Sequence, residues 1–491
     1  MDRFNTLIDH LHRIDTFRQI QSVLSWDQET YMPPNAIAAR TQHIKTMAGL
    51  WHEAWQDSNF ASQLNAFIDV STGIPKGTFS PDETAFLRET CRAWRHQNAL
   101  SRDWVEAFSA ATATAQHMWS EARNRSDFSH FAPYLQELVT LTHEKIRQLG
   151  GTDQPYTTLI DEFEPGMTIP ELDRIFTPLC AFTTDFLKTH RPYPSPSLPP
   201  IDYAAQRAYS ESLVAALGFN TRCGRLDLSA HPFTITLAPT DIRLTTRINP
   251  ANVFESISST LHEFGHGLYE QGLNPRWAQT PYGAARSMAI HESQSRFWEV
   301  FVGQSEAFIA WQRPILHDHF PDLRGFSEAD IARYWQRVAP QWCRVESDIV
   351  TYTLHIMVRY ACEKALFESG LPVADLPAVW NDYMHQYLGI TITDDAQGVL
   401  QDVHWSAGLF GYFPSYTLGT LIAAQLWEVI GKGIPDMDAR IREGDFLVIT
   451  EWLRERVHDH GSRLTTAELV DSLGIGVSSD AFMRYIERVW Q

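Results

Sequence analysis

Apolar residues recur at three- and four-residue steps along most of this chain. That spacing predicts amphipathic helices over 4–25, 35–55, 83–126, 129–148, 169–188 and 202–217, separated by short polar breaks. Helical periodicity resumes after residue 250 and runs to the C-terminus. Its breaks fall at Gly370-Leu371-Pro372, 411–414 and 431–435. Two stretches depart from the pattern. The segment 191–200 carries five prolines and cannot be helix, so it is expected as an extended connector, either a domain linker or a strap across one body. Residues 233–248 alternate around Pro239-Thr240-Asp241 and predict a small β-hairpin. An exposed strand of such a hairpin can pair with another extended backbone, although a purely structural hairpin fits the pattern equally.

One helix is expected directly after that hairpin. Asn249-Pro250 reads as an N-cap followed by proline in the first turn, and Gly272 as the stop. Phe254, Ile257, Leu261, Phe264 and Leu268 form its buried stripe. On a neighbouring face lies His262-Glu263-Phe264-Gly265-His266. Histidines four apart on a helix point the same way, so both imidazoles can hold one metal ion. Glu263 can then reach a water on that metal and act as general base. Gly265 and Gly267 each lower helix propensity by about 1 kcal/mol relative to alanine. Close backbone approach or loose packing would explain them equally well.

A catalytic zinc needs a third protein ligand and leaves one position open. Glu292 in His291-Glu292-Ser293-Gln294 is the candidate, on a second helix starting near Ala284 or Ala285 after a Gly/Pro-rich loop. The alternative is His291 as ligand, with Glu292 orienting it. Donors to an oxyanion are also needed. His404 and Tyr416 flank a glycine-rich turn and are candidates. Reading a terminal carboxylate calls for arginine, whose fork matches a carboxylate. Arg344 and Arg243 stand near the other motifs. Arg344 and Asp348 are four apart on a predicted helix, so a simple ion pair along the helix face is the competing reading. For Arg243 the competing reading is a cross-strand pair on the hairpin.

Charge and composition narrow the function classes. Lys and Arg number 40 against 59 Asp and Glu, a net charge of −19, which argues against nucleic acid or anionic membrane as a partner. No run of about 18 apolar residues is present, so no membrane span is expected. The N-terminal sequence lacks a basic start followed by an apolar run, so no signal peptide is expected. The five cysteines Cys91, Cys180, Cys223, Cys343 and Cys362 are odd in number and widely spaced. They fit reduced thiols in a cytoplasmic protein, not a disulfide framework. With 491 residues, length alone allows several domains.

Several further motifs occur in order. They are His231-Pro232-Phe233, Asp241-x-Arg243-x-Thr245, Arg344-x-x-Ser347-Asp348 and Gly398-x-x-Gln401-Asp402-x-His404-Trp405, together with Leu24–Pro34 and Glu164-Pro165-Gly166-Met167. With the His262 and Glu292 motifs, they make the chain resemble the carboxypeptidase Taq family of zinc metallocarboxypeptidases over essentially its whole length. Cys343 and Ser347 depart from that family's Ile or Val and Ala while keeping Arg344 and Asp348.

The resemblance implies a mostly α fold: one domain over 1–491, a large helical body with a deep groove, and a small sheet beside the metal helix. It implies a homodimer that removes single C-terminal residues from peptides with broad tolerance. It implies one Zn(2+) per chain, which Co(2+) can replace. His262, His266 and Glu292 become ligands and Glu263 the base. His404 and Tyr416 become oxyanion donors, with Tyr412 close by. Arg344, Arg243, Asp241 and His231 become substrate-binding residues. Two rivals stand beside this reading. One is an endo-acting zinc oligopeptidase with the same helical site. The other is a non-catalytic helical binding protein, against which the retained base and full ligand set argue.

Overall fold

The structure is a computed structural model that describes residues 2–151, 153–190, 192 and 196–490. It is mostly α-helical, with one small three-stranded sheet, as the periodicity predicts. None of the described helices is long and apolar enough to cross a membrane. Of the connector expected at 191–200, residues 191 and 193–195 lie outside the described residues. Residues 196–200 run without regular structure into the helix Tyr203–Ala216.

The expected helices appear with shifted ends. Residues 4–25 extend to Asn5–Thr30, and 35–55 becomes Ile37–Trp55. The single helix expected over 83–126 is two, Pro81–Ala99 and Arg102–Arg125. Leu100 is extended there and the Ser101 hydroxyl accepts from the Trp104 N–H, so a new cap starts a new helix. The short helices Ser58–Phe67 and Pro155–Phe163 were not read from the pattern.

The hairpin is present as β2 (Thr234–Ala238) and β3 (Asp241–Thr246). A third strand, β1 (Gly224–Leu228), pairs parallel to β3, so the order is β1-β3-β2 and β2 is an edge. Directly opposed residues of an antiparallel pair share a face. Thr234 and Leu244 therefore face the helix Val253–Gly272, where Thr234 meets Glu263 and Leu244 lies against Gly267. Ile235 and Arg243 take the other face, and Arg243 stacks over Trp26 of the N-terminal helix at 4.1 Å from the ring centroid.

The His262 helix spans Val253–Gly272, and all five residues of its expected stripe are buried. Its cap is Asn252, whose side chain accepts from the Glu255 N–H, not Asn249. The Asn249 side chain instead binds the Ala251 N–H and the Glu255 carboxylate, outside the helix. The second helix starts later than expected, at Met288, capped by Ser287. It runs straight into a π-helical turn, Phe297–Val302. Most of the apolar core runs from Ala111 to Trp490. A smaller core joins Phe4–Cys91 of the N-terminal helices to Tyr282.

Glycines set the spacing between the helices that meet at the centre. A Cβ on Gly265 would stand 2.4 Å from the Gln294 carbonyl oxygen, and one on Gly419 would stand 2.6 Å from the Glu292 Cβ. Close approach, not loose packing, explains Gly265. Gly49, on the exposed helix Ile37–Trp55, has nothing within 4 Å of such a Cβ. Gly265→Ala is therefore expected to cost roughly 1–3 kcal/mol by overpacking. Gly49→Ala should gain about 0.5–1 kcal/mol from helix propensity. Urea denaturation of the two variants checks both signs.

Candidate active site

His262 and His266 lie one turn apart, and Glu292 comes to them from the adjoining helix. Glu292 Oε2 is 3.8 Å from His262 Nε2 and 3.6 Å from His266 Nε2. The three candidate ligand atoms lie within 4.8 Å of one another. The other ring nitrogens are engaged elsewhere. His262 Nδ1 is 2.9 Å from Glu299 Oε2, and His266 Nδ1 is 2.6 Å from His291 Nδ1. His291 Nε2 is in turn 2.8 Å from Glu270 Oε1. Both nitrogens of His291 are thus occupied, so it is not placed as a ligand. A donor set of two imidazoles and one carboxylate, with free Nε2 atoms converging on a carboxylate oxygen, fits a zinc ion.

The electrostatics suit a cation. Glu292 is only 6% exposed, and burial alone would favour its neutral form. His262, His266 and Arg296 outweigh that and hold it well below the usual carboxylate range. Arg296 Nε donates to Glu292 at 2.9 Å and its Nη1 to Glu299 at 3.1 Å. Burial opposes protonation of His262, yet Glu292 and Glu299 raise it to about 9. Burial keeps His266 down at about 4 despite its contact with Glu292. Glu263 is buried beside them, and burial raises its pKa. Thr234 Oγ1 donates to its carboxylate at 2.6 Å and so fixes its orientation.

His404 and Tyr416 do meet: His404 Nε2 is 3.3 Å from the Tyr416 hydroxyl. Burial lowers His404 to about 4, so its ring is neutral, while burial raises Tyr416 well above its ordinary value. Tyr412 stacks on His404 with ring centroids 5.6 Å apart. Tyr412 and Tyr416 both feel the Glu292 charge, which helps to raise their pKa values. Tyr416 opens the helix Pro414–Gly433, which also carries Gly419 against Glu292.

The helix-face ion pair between Arg344 and Asp348 does not form. Arg344 sits in a single 3-10 turn, and Asp348 caps the next helix, Ile349–Phe367, by accepting from the Val350 and Thr351 N–H groups. Arg344 turns instead to Asp402, which accepts from Nε at 3.0 Å and Nη2 at 2.8 Å, and to the Tyr352 hydroxyl through Nη1 at 2.6 Å. Its guanidinium carbon is 5.3 Å from the Tyr416 ring centroid. Arg359, wholly buried, holds the other oxygen of Asp402. Arg243 is bidentate to Asp241, at 2.9 and 2.8 Å, within its own strand and not across to the neighbouring one. His231 is exposed on the loop between β1 and β2.

Several residues around the site were not singled out from sequence. Glu299, Arg296 and Glu270 were legible by helical spacing: 292, 296 and 299 share one face, as do 262, 266 and 270. Glu363 had no such signal. It is fully buried and accepts from the Tyr156 hydroxyl, Trp405 Nε1 and the Gly411 N–H, so it clamps the turn that carries His404.

The model of the carboxypeptidase Taq (M32) metallopeptidase family matches residues 6–489. The chain belongs to this family. It is 34% identical to thermostable carboxypeptidase 1 of Pyrococcus furiosus over 489 residues, which is 97% of this chain and 96% of that protein. It is 33% identical to carboxypeptidase 1 of Bacillus subtilis over 468 residues, 94% of this chain and 92% of that protein. Its fold matches the crystal structure of an M32 carboxypeptidase from Deinococcus radiodurans with a TM-score of 0.95 and 30% identity, covering 100% of this chain and 99% of that one. Family membership makes the protein a metallocarboxypeptidase.

Two stability predictions follow from the charges buried in this family member. Burial raises Glu363 from the ordinary 4.5 to about 7. A raised carboxyl contributes stability that is complete below pH 4.5 and lost as pH rises through 7. The difference in melting temperature between wild type and Glu363→Gln should therefore shift against wild type across that window. A flat difference would contradict the raised pKa. Arg344→Ala leaves Asp402 paired with Arg359 but removes the donors to one Asp402 oxygen and to the Tyr352 hydroxyl, and should cost about 1–3 kcal/mol in urea denaturation.

Proposed function

We propose that this metallocarboxypeptidase uses zinc at His262, His266 and Glu292, releases single C-terminal residues from peptides, and accepts a broad range of side chains there. Cobalt is expected to substitute. We further propose that the chain works as a cytoplasmic homodimer. The observation that carries the catalytic reading is Glu263: a buried carboxylate, fixed by Thr234, beside two imidazoles and a second carboxylate, Glu292, that converge on one point.

Bound at those three side chains, zinc supplies a Lewis acid that activates water and polarises the scissile carbonyl. Glu263 takes a proton from the attacking water and passes it to the leaving amine nitrogen. Its burial raises its pKa, which suits it to hold that proton between the two steps. His404, neutral at working pH, and the un-ionised Tyr416 hydroxyl donate to the developing oxyanion. Arg344 receives the substrate's terminal carboxylate, with Arg243 as the second candidate. Asp241 orients Arg243, and His231 at the rim contacts the peptide farther from the cleaved bond.

Mass spectrometry of zinc-loaded protein incubated with one peptide, free or amidated at its C-terminus, tests the reading. Stepwise C-terminal losses from the free peptide alone are expected. Internal cuts in both peptides would make the enzyme an oligopeptidase and remove the carboxylate role from Arg344. Glu263→Gln should keep its zinc and lose about 10²–10⁴-fold in kcat/KM. Full activity in that variant with zinc bound would sink the mechanism.

A further inference from the structure

Two groups, His291 and Glu270, stand in line behind His266, and none of the proposed chemical steps uses either. His266 Nδ1 is 2.6 Å from His291 Nδ1, and His291 Nε2 is 2.8 Å from Glu270 Oε1. Glu270 lies one turn beyond His266 on the same helix, so the helix that presents the imidazole also presents the end of the line. The Thr236 side chain on β2 lies beside the same carboxylate.

The proton positions follow from chemistry. For His266 to offer a lone pair at Nε2, its proton must sit on Nδ1. That proton needs an acceptor, and the neighbouring atom is His291 Nδ1. His291 Nδ1 accepts only if the proton of His291 is on Nε2. Glu270 selects that form, because a carboxylate accepts from N–H and repels a ring lone pair. The opposite arrangement places a lone pair of His291 against the Glu270 carboxylate and a proton on His266 Nε2, facing Glu292. His262 reaches the same end in one step, through Glu299.

We propose that Glu270 and His291 are positioning residues that fix the tautomer of His266 and thereby set the affinity of this site for zinc. The inference rests on the reading of His266 as a ligand. Neither residue touches substrate.

Zinc dissociation constants, measured by competition with a chelating indicator, test it. Glu270→Ala and His291→Phe are expected to bind zinc about 10- to 100-fold more weakly than wild type. Glu270→Gln keeps an oxygen that accepts the same proton, but its amide N–H also offers a donor to the other tautomer, so a smaller loss than in Glu270→Ala, about 3- to 10-fold, is expected by the same reasoning on orienting partners. Equal loss in Glu270→Ala and Glu270→Gln would make charge, not tautomer, the cause and overturn the relay. His266→Ala separates the two readings. If it binds zinc as wild type does, the ligand assignment fails. If it loses zinc while Glu270→Ala and His291→Phe keep wild-type affinity, the relay alone fails. Should the alanine variant not fold, nitrogen-15 histidine spectra of the zinc-loaded wild-type protein decide. Protons on His266 Nδ1 and His291 Nε2 are expected, and the reverse pattern would overturn the relay.

Discussion

The Glu292 helix sits closer to its neighbours than side chains would allow. Gly265, against Gln294 and Ser295, and Gly419, against Glu292, leave no room for a Cβ, so the helix that carries Glu292 is held close. That approach brings a buried carboxylate to both histidines. Taking such a charge out of water costs several kcal/mol unless partners compensate. Arg296 compensates part of it, but Glu263 and Glu299 crowd the same volume. Glu292, Glu263 and Glu299 against one guanidinium leave an excess of negative charge around the imidazoles, which is why the pKa of His262 rises. A divalent cation is the natural counter-charge, so the packing and the electrostatics ask for the same occupant.

The opposite wall has the reverse problem. His404 and Tyr416 lie on or beside a turn between helices, and turns are mobile unless tied down. Asp402 ties one end by holding Arg344 and Arg359 on separate oxygens, and Glu363 ties the other by taking three donors. Gln401 adds a contact from Arg359 and one from the Arg344 N–H. Each tie crosses between segments far apart in the chain, so the wall becomes rigid only when the whole body has folded. Oxyanion donors gain most from that kind of preorganisation.

What the sequence made legible divides along the same line. The His262 helix, its buried stripe and the pairing of β2 with β3 depend on neighbours within about a dozen positions, and periodicity predicts them. The parallel strand β1 escaped notice because its five residues pair with β3 across the hairpin, with no turn joining the two directly. Arg344 and Asp348 looked like a helical pair because they are four apart. No α-helix spans them: Arg344 lies in a 3-10 turn, and the Asp348 carboxylate caps the helix that starts at Ile349. Asn249 was read as a cap for a similar reason, and Asn252 does that work. Glu363 and Arg359 carry no local signature at all. Asp402, Gln401, Trp405, Gly411 and Tyr156, which hold them, lie 42 to 207 positions away, and only the packed structure reveals why these two side chains belong there.

The two candidate arginines differ in their surroundings more than in their chemistry. Arg243 and Asp241 neutralise each other, and the pair stacks against Trp26 on the sheet face turned away from Glu263. Arg344 shares the single carboxylate of Asp402 with Arg359, so that cluster keeps one positive charge in excess. Burial and the neighbouring Arg344 lower the pKa of Arg359, as expected where two cations share one anion. His404, neutral, adds nothing to the balance. A buried excess of positive charge beside Tyr416 is costly alone and gains by meeting an anion. The negative pocket around the imidazoles and the positive cluster behind Tyr416 therefore ask for opposite charges side by side. On the proposed reading a metal ion meets the first and a peptide's terminal carboxylate the second, which favours Arg344 over Arg243 as the anchor.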